Sequence, residues 1–439
     1  MRKPEEQSSR PTNREQAKGN GLFLLFQSPG YSWLWSSTLL SGLGQTLEML
    51  TVGWLVLEMT DSPLWVGLVT ALRGVGLFFL APIAGVIADR VDRKKLLVLA
   101  QVMNTTNTLT MGVLIVTDVI ELWLIMPLVA LQGVAWAIRM PVRNTLAFDL
   151  VGRQLALGAV SANFMAMHIT RIAGPVTAGL IISAYGPGEA YLVATVGHFL
   201  AIAALLMVPR PTNISPARGS TLSNLREGYS HVRGNRPVRS IFSLVAITEP
   251  FGFSYQAMLP VIARDVLEVG PTELGILASS FGAGAVIASL AVSSLGDFKF
   301  KGWLLVGASF LFGIFLLLFA FSETYVLSAI LLALAGASAV TYDSSVGALL
   351  QTLVPDDMRG RVMGVYGSFM GMAPLGGVQA GAIAALVTAP FAVGFGGSLV
   401  ALNSLRLARL APKIRQLETQ TGEEESSAEG LEPKGAMDS

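Results

Sequence analysis

Long apolar runs separated by short polar punctuation set the pattern of this chain. One run extends from about Leu64 to Ala88 and the next from about Leu96 to Thr117. Between them lies a compact charged segment, Asp89-Arg90-Val91-Asp92-Arg93-Lys94-Lys95. A helix needs ~20 apolar residues to cross a bilayer. Both runs meet that length, so a connection this short must reverse the chain at a membrane surface. The same pattern predicts spans at about Leu34–Leu57, Leu122–Met140, Leu157–Tyr185 and Ala190–Val208. It predicts six more at about Ser240–Ala263, Leu274–Leu295, Gly302–Phe321, Tyr325–Leu353, Val362–Leu386 and Pro390–Ala411. Arg143, Asp149 and Arg153 read as a polar connector between the fourth and fifth spans.

These runs imply an organisation. Residues 1–31 form a polar tail, 32–208 a first six-helix half, 209–239 a polar linker, 240–411 a second half, and 412–439 a polar, disordered tail. Within the linker, Ser223–Val232 is expected to form a short amphipathic surface helix. The expected fold is an all-α polytopic membrane protein of twelve transmembrane helices in two pseudo-symmetric halves. The second and eighth spans align without gaps at an offset of 208 residues: Gly67 with Gly275, Gly74 with Gly282, Gly76 with Gly284, Asp89 with Asp297. Leu150-Val151 and Leu353-Val354 close the fourth and tenth spans alike. Such parallel repeats, related by an axis along the membrane normal, are known among transporters.

Composition agrees with the pattern. Of 439 residues, 52% are hydrophobic and 13% charged, against roughly 25% charged in soluble domains. Mean hydropathy is +0.59. The net charge of +1 carries no field that suggests nucleic acid. Cysteine is absent, which excludes disulfides and thiolate chemistry. No charged n-region followed by an apolar h-region opens the sequence, so no cleavable signal peptide is expected. Alternate loops are basic and the opposite ones acidic or nearly uncharged, except that the loop after the seventh span mixes signs with Arg264 beside Asp265. By the positive-inside rule both termini are expected in the cytoplasm of a multi-pass cell-membrane protein.

Ionisable residues inside spans are costly and hence functional candidates. Ser37, Ser41, Gln45, Glu48 and Thr51 recur at helical spacing and form one polar stripe, expected to face the interior. Arg73 lies at about the depth of Glu48. Either Glu48 loads and releases a proton, or Glu48 and Arg73 form a permanent ion pair. His168 and Arg171 sit three residues apart in the fifth span, and Glu249 precedes Pro250 in the seventh, with Gln256 two turns on. Arg171 and Glu249 are candidates to meet between the halves. Arg139 and Asp343 occupy equivalent ends of the fourth and tenth spans, a candidate gate bridge. Ser41, Gln45, His168, Phe253 and Gln256 are candidate cavity residues. The three histidines are scattered, and no metal-ligand spacing, catalytic constellation or P-loop emerges. An enzyme is therefore not expected, and neither is a cofactor or a metal.

The charged hinge resembles the signature of the major facilitator superfamily, G-x-L-x-D-R-x-G-R-K. Gly85, Asp89, Arg90, Arg93 and Lys94 match it, while Ile87 and Asp92 depart from it. Gly174-Pro175, followed by Gly179, resembles the core of the antiporter motif of drug-exporting members. Pro355–Val365 is similar to the corresponding turn in a branch containing siderophore and macrolide exporters. The resemblance implies alternating access of two halves about a central site. It also implies that Asp89 faces the helix start at Met358–Arg361, with Arg359 and Arg361, and helps close the cytoplasmic side. Asp92 is expected to pair with Arg93 or Lys95. The expected activity is proton-coupled export of amphipathic small molecules, drugs or siderophores, by a monomer in the lipid bilayer. A solute importer or a non-transporting receptor of the same fold is the alternative.

Overall fold

The computed structural model describes residues 25–209, 221–294 and 301–410. Within these, the side chains of 77–90, of several residues between 153 and 164, and of 29, 221–223 and 410 lie outside the described set. Every regular element among the described residues is a helix. That follows from the solvent: in hydrocarbon, each backbone N–H and C=O must be paired within its own segment.

The first half builds α1 (Pro29–Thr60), α2 (Pro63–Arg90), α3 (Arg93–Val116), α4 (Leu122–Tyr185) and α5 (Pro187–Met207). The linker carries α6 (Thr221–Gly234). The second half builds α7 (Arg236–Ile247), a π-turn at Thr248–Gly252, α8 (Tyr255–Asp265), α9 (Pro271–Ser294) and α10 (Lys301–Ala320). It closes with α11 (Tyr325–Leu353), α12 (Asp356–Met370), α13 (Gly376–Leu386) and α14 (Ala389–Leu410). Eight segments among the described residues are long and apolar enough to cross a membrane. Pro63–Gly76 and Gly376–Leu386 are shorter apolar helices.

Three places differ from the sequence reading. The polar connector after Met140 is helical: α4 runs on to a break at Gly152, whose φ of 69° and ψ of 178° only glycine adopts freely. Arg143 and Asp149 thus extend a helix. The seventh span is broken at Glu249-Pro250, where proline lacks the N–H that a regular turn needs, and the chain widens into the π-turn. The eleventh span is likewise interrupted between Met370 and Gly376, across Pro374.

Asp92 does something other than pair with a neighbouring cation. It is the N-cap of α3, and its side chain accepts a hydrogen bond from the Lys95 backbone N–H at 3.1 Å. This satisfies one of the donors that every helix start leaves unpaired. Lys94 donates to the Leu206 carbonyl at 2.9 Å and to that of Val208, the orphan acceptors where α5 ends. Arg93 meets Asp149 at 2.5 Å in a mostly buried pair that ties α3 to the end of the first arm of α4.

Two compact units emerge. Unit 1 comprises the chain up to Asp61, Leu72–Thr221 and Val269–Ser279; unit 2 comprises Ser62–Ala71, Leu222–Glu268 and the chain from Ser280. In unit 1 an apolar cluster of Tyr31, Leu34, Leu97, Val142, Leu146 and Leu205 packs one end of the bundle. Tyr31 and Trp35 donate to the carbonyls of Ala159 and Ala162 beyond the Gly152 break. In unit 2 the corresponding cluster gathers Ile241, Phe242, Leu349, Val362 and Tyr366, with Leu225 of α6 against it.

The repeat is written into the close approaches. In unit 2, a Cβ on Gly67 would collide with the Gly377 carbonyl, and one on Gly381 would meet the Pro63 carbonyl oxygen at 2.8 Å. In unit 1, a Cβ on Gly275 would collide with the Pro175 carbonyl, and one on Gly179 with that of Pro271. Gly133 lies against the Arg73 carbonyl in unit 1 as Gly336 lies against the Phe281 carbonyl in unit 2. Small residues at these crossings let backbones touch, which is how membrane helices associate without a hydrophobic driving force. Matching Gly133 to Gly336 makes Tyr342 the counterpart of Arg139, one residue short of Asp343.

Candidate functional site

The stripe on α1 is buried as a unit. Ser37, Ser41, Glu48 and Thr51 are each 3% exposed or less, and Gln45 is half-buried. Opposite it, α3 presents Gln101, Asn104 and Thr108, and α5 presents His198, all buried. Thr108 donates to Glu48 Oε1 at 2.5 Å, and His198 Nε2 lies 2.8 Å from the same oxygen. Gln101 Nε2 approaches His198 Nδ1 at 3.0 Å, and Gln101 Oε1 accepts from Arg139 Nη1 at 3.0 Å. A run of contacts thus leads from Arg139 through Gln101 to His198 and Glu48. Asn104 Nδ2 also lies 3.1 Å from His198 Nε2, so the imidazole is held between Gln101, Asn104 and Glu48.

Arg73 is in the same cluster but is not bonded to Glu48. Its Nη2 donates to Gln132 Oε1 at 2.6 Å. The direct Glu48–Arg73 ion pair expected from depth is therefore not the contact made; His198, from an otherwise apolar span, takes that place. Gln132, Trp136, Arg139 and Arg143 follow one another at helical spacing on the first arm of α4. Arg143 Nη2 donates to Ser41 Oγ at 3.1 Å, joining this stripe to that of α1. The gap between Gln45, Glu48, Arg73, Gln132, Trp136 and Arg139 is too narrow for a water molecule.

The remaining expected residues fall as follows. Gly174 lies so close to Thr46 of α1 that a Cβ would overlap its hydroxyl, so Gly174, Pro175 and Gly179 pack the second arm of α4 against α1 and the start of α9. His168 and Arg171 lie half-buried on that arm. Phe253 packs tilted against Phe312 in unit 2, ring centroids 5.2 Å apart, and Gln256 is half-buried on α8. Glu249 is 2% exposed in the π-turn. The adjoining Pro250 carbonyl accepts from Gln379 at 3.1 Å. Asp343 is half-buried on α11. Arg359 pairs locally with Asp356 at 2.6 Å, and Arg361 pairs with Glu227 of α6 at 2.8 Å. The side chains of Gly85, Asp89 and Arg90, and the second hinge copy at Gly296–Phe300, lie outside the described residues.

Sequence reasoning missed His198, Gln101, Asn104, Thr108 and Gln132. Polar residues at helical spacing on the third span were the available signal. For His198 there was only its solitude in an apolar run.

An internally duplicated bundle of membrane helices, with glycine-mediated crossings and a sealed charged cluster, is the build of a major facilitator transporter. Solved transporters share the fold: the nucleoside transporter NupG (TM-score 0.66, 15% identity, 86% of this chain and 98% of that one) and a bacterial homologue of the lysosomal transporter Spinster (0.66, 13%, 93% and 98%). The chain belongs to the transmembrane secretion effector family, whose model matches residues 22–434. Its relatives include the staphyloferrin A transporter of Staphylococcus aureus, 27% identical over 78% of this chain and 87% of the relative. Macrolide efflux protein A of Streptococcus pyogenes is 21% identical over 78% and 86%. The enterobactin exporter EntS of Shigella boydii is 25% identical over 82% and 88%. The family and these relatives are transporters, not enzymes.

Proposed function

We propose that this transporter is a proton-coupled exporter of amphipathic organic compounds of the siderophore or drug kind, working by alternating access. One observation carries the coupling: a carboxylate, Glu48, is sealed within a membrane helix with a histidine as its direct partner. A sealed carboxylate trades its proton only when a conformational change opens a path to water. Proton transfer is thereby tied to the transport cycle. The named activities of the macrolide and enterobactin relatives support the outward direction. Asp89 keeps the gate role that its motif implies, on the cytoplasmic side with both termini.

The test uses everted membrane vesicles that carry the protein and a fluorescent macrolide. A proton gradient should drive accumulation, and a protonophore should abolish it. Glu48→Gln should remove gradient-driven accumulation while leaving exchange of preloaded substrate intact. Accumulation of equal size without any gradient would sink the coupling. Gradient-driven movement in the opposite sense would make the protein an importer.

A further inference from the structure

In unit 2 the start of α7 and the end of α14 lie side by side and carry a basic surface. Leu402, Leu405, Arg406 and Arg409 recur at helical spacing on one face of α14. That face changes character along its length. Leu402 and Leu405 are 62% and 40% exposed, and the exposed Arg406 and Arg409 follow them toward the helix end. On α7, Arg236 and Arg239 are exposed one turn apart in the first turns. Neither α7 nor α14 contains an Asp or a Glu.

Arg406 ties the two helices together. Its Nε donates to Asn403 Oδ1 at 3.1 Å, and its Nη2 donates to Ser243 Oγ of α7 at 3.4 Å. Asn403, 6% exposed, also donates through Nδ2 to the Ser243 carbonyl at 3.3 Å. Ser243 stands one turn beyond Arg239 on the same face of α7. Arg239 Nη1 in turn donates to the Arg233 carbonyl, where α6 ends, at 3.2 Å. These acceptors are neutral, so each guanidinium keeps its charge and most of its five N–H donors.

Basic residues at the ends of spans already follow from the positive-inside rule, which needs only their charge. Two features go further: a guanidinium fixed across a helix seam by a buried amide, and exposed leucines next to it on the same helix face. We infer that this seam binds an anionic phospholipid, with its phosphodiester held by Arg239 and Arg406 and an acyl chain lying along Leu405 and Leu402. Guanidinium forks match phosphate oxygens in pairs, and basic residues near a bilayer surface attract anionic lipids. The apolar-to-basic order along α14 repeats the order of tail and headgroup in one lipid molecule. Binding here depends on neither the direction nor the coupling of transport.

The experiment is native mass spectrometry of the purified full chain from micelles doped with equal amounts of dioleoyl phosphatidylglycerol and dioleoyl phosphatidylcholine. The protein should retain the anionic lipid in clear excess. Arg239→Gln and Arg406→Gln should each cut that excess about tenfold, as expected for loss of a charge-assisted hydrogen bond. Arg406→Lys should fall between wild type and Arg406→Gln, because an ammonium keeps the charge but not the fork. Arg226→Gln, at an exposed position two turns before Arg233 on α6, should leave the excess unchanged. Size-exclusion profiles identify any variant that fails to fold; should Arg406→Gln fail, the exposed Arg239→Gln still decides the matter. Equal retention of the two lipids overturns the inference. So does an equal loss in Arg226→Gln, which would make the attraction diffuse. Displacement of the lipid by millimolar inorganic phosphate would make the seam a site for free anions and overturns it as well. Selectivity that emerges only when Glu423, Glu424 and Glu425 are all changed to Gln would give the seam to the acidic tail of the chain itself, against the inference.

Discussion

Glu48 shows how much a single buried residue asks of its surroundings. Its carboxylate accepts from Thr108 and meets His198, and the imidazole is in turn held by Gln101. Removing the imidazole leaves a buried acceptor short of a partner, which costs about 1–3 kcal/mol. His198→Ala should therefore lower the thermal unfolding temperature in detergent. In a Glu48→Gln background the same change should cost clearly less, because the group left stranded is no longer charged. Equal losses in both backgrounds would show that His198 acts by packing alone. Asp92 is a simpler case. As an N-cap its replacement by alanine should cost about 1 kcal/mol, and Asp92→Asn or Asp92→Ser should restore most of it. The type of partner that Glu48 needs was legible in the sequence, since a carboxylate in a membrane span demands one. Its identity was not: counting depth along two spans pointed to Arg73, whereas lateral placement by helix packing brought in α3 and α5. The cap was legible in principle, as an Asp three residues before the Lys95 N–H it satisfies. Its charge drew attention away from its short, backbone-directed reach.

At the scale of elements, the crossings matter more than the apolar surfaces. Long hydrophobic runs fix that the segments are helices but say little about which helices touch, because lipid tails are as apolar as leucine. The glycines carry that information. Gly67 and Gly275, matched in the sequence, each lie against a carbonyl that a side chain would displace: Gly377 within unit 2 and Pro175 within unit 1. Gly275→Leu should therefore disrupt folding, read as loss of the monodisperse peak in fluorescence-detected size exclusion, and Gly67→Leu should do the same. Gly347 and Gly360 lie in helices with open space where a Cβ would project. Alanine there should be neutral or stabilise by about 0.5–1 kcal/mol through the helical preference alone. Helix interruptions were only half legible. Pro250 announced the break in the seventh span, whereas the run from α4 through Met140 to Gly152 hid behind charged residues that extend a helix as readily as they end one.

Across the whole molecule, the linker is the segment whose placement needs a decision between forces. Its helix α6 belongs with unit 2, where Glu227 pairs with Arg361 and Gly228 lies 2.6 Å, at the position of an added Cβ, from the Arg361 carbonyl oxygen. Leu225 packs on the apolar cluster of that unit, and Val232 is part of it. Both charges of the pair are partly exposed, at 35% and 46%, and such pairs contribute about 0.2–1 kcal/mol. Burial of a leucine or valine side chain contributes about 1.5–3 kcal/mol. Packing therefore outweighs the ion pair in holding α6. Glu227→Ala should change the protease sensitivity of the linker little. Gly228→Leu should drive α6 off its seat and loosen its backbone, so that trypsin cleaves at the already exposed Arg226 and Arg233, seen as rapid cleavage into two fragments. If Glu227→Ala released the helix as fully as Gly228→Leu, the anchor would be electrostatic, and high salt alone should then reproduce the cleavage in the unaltered chain.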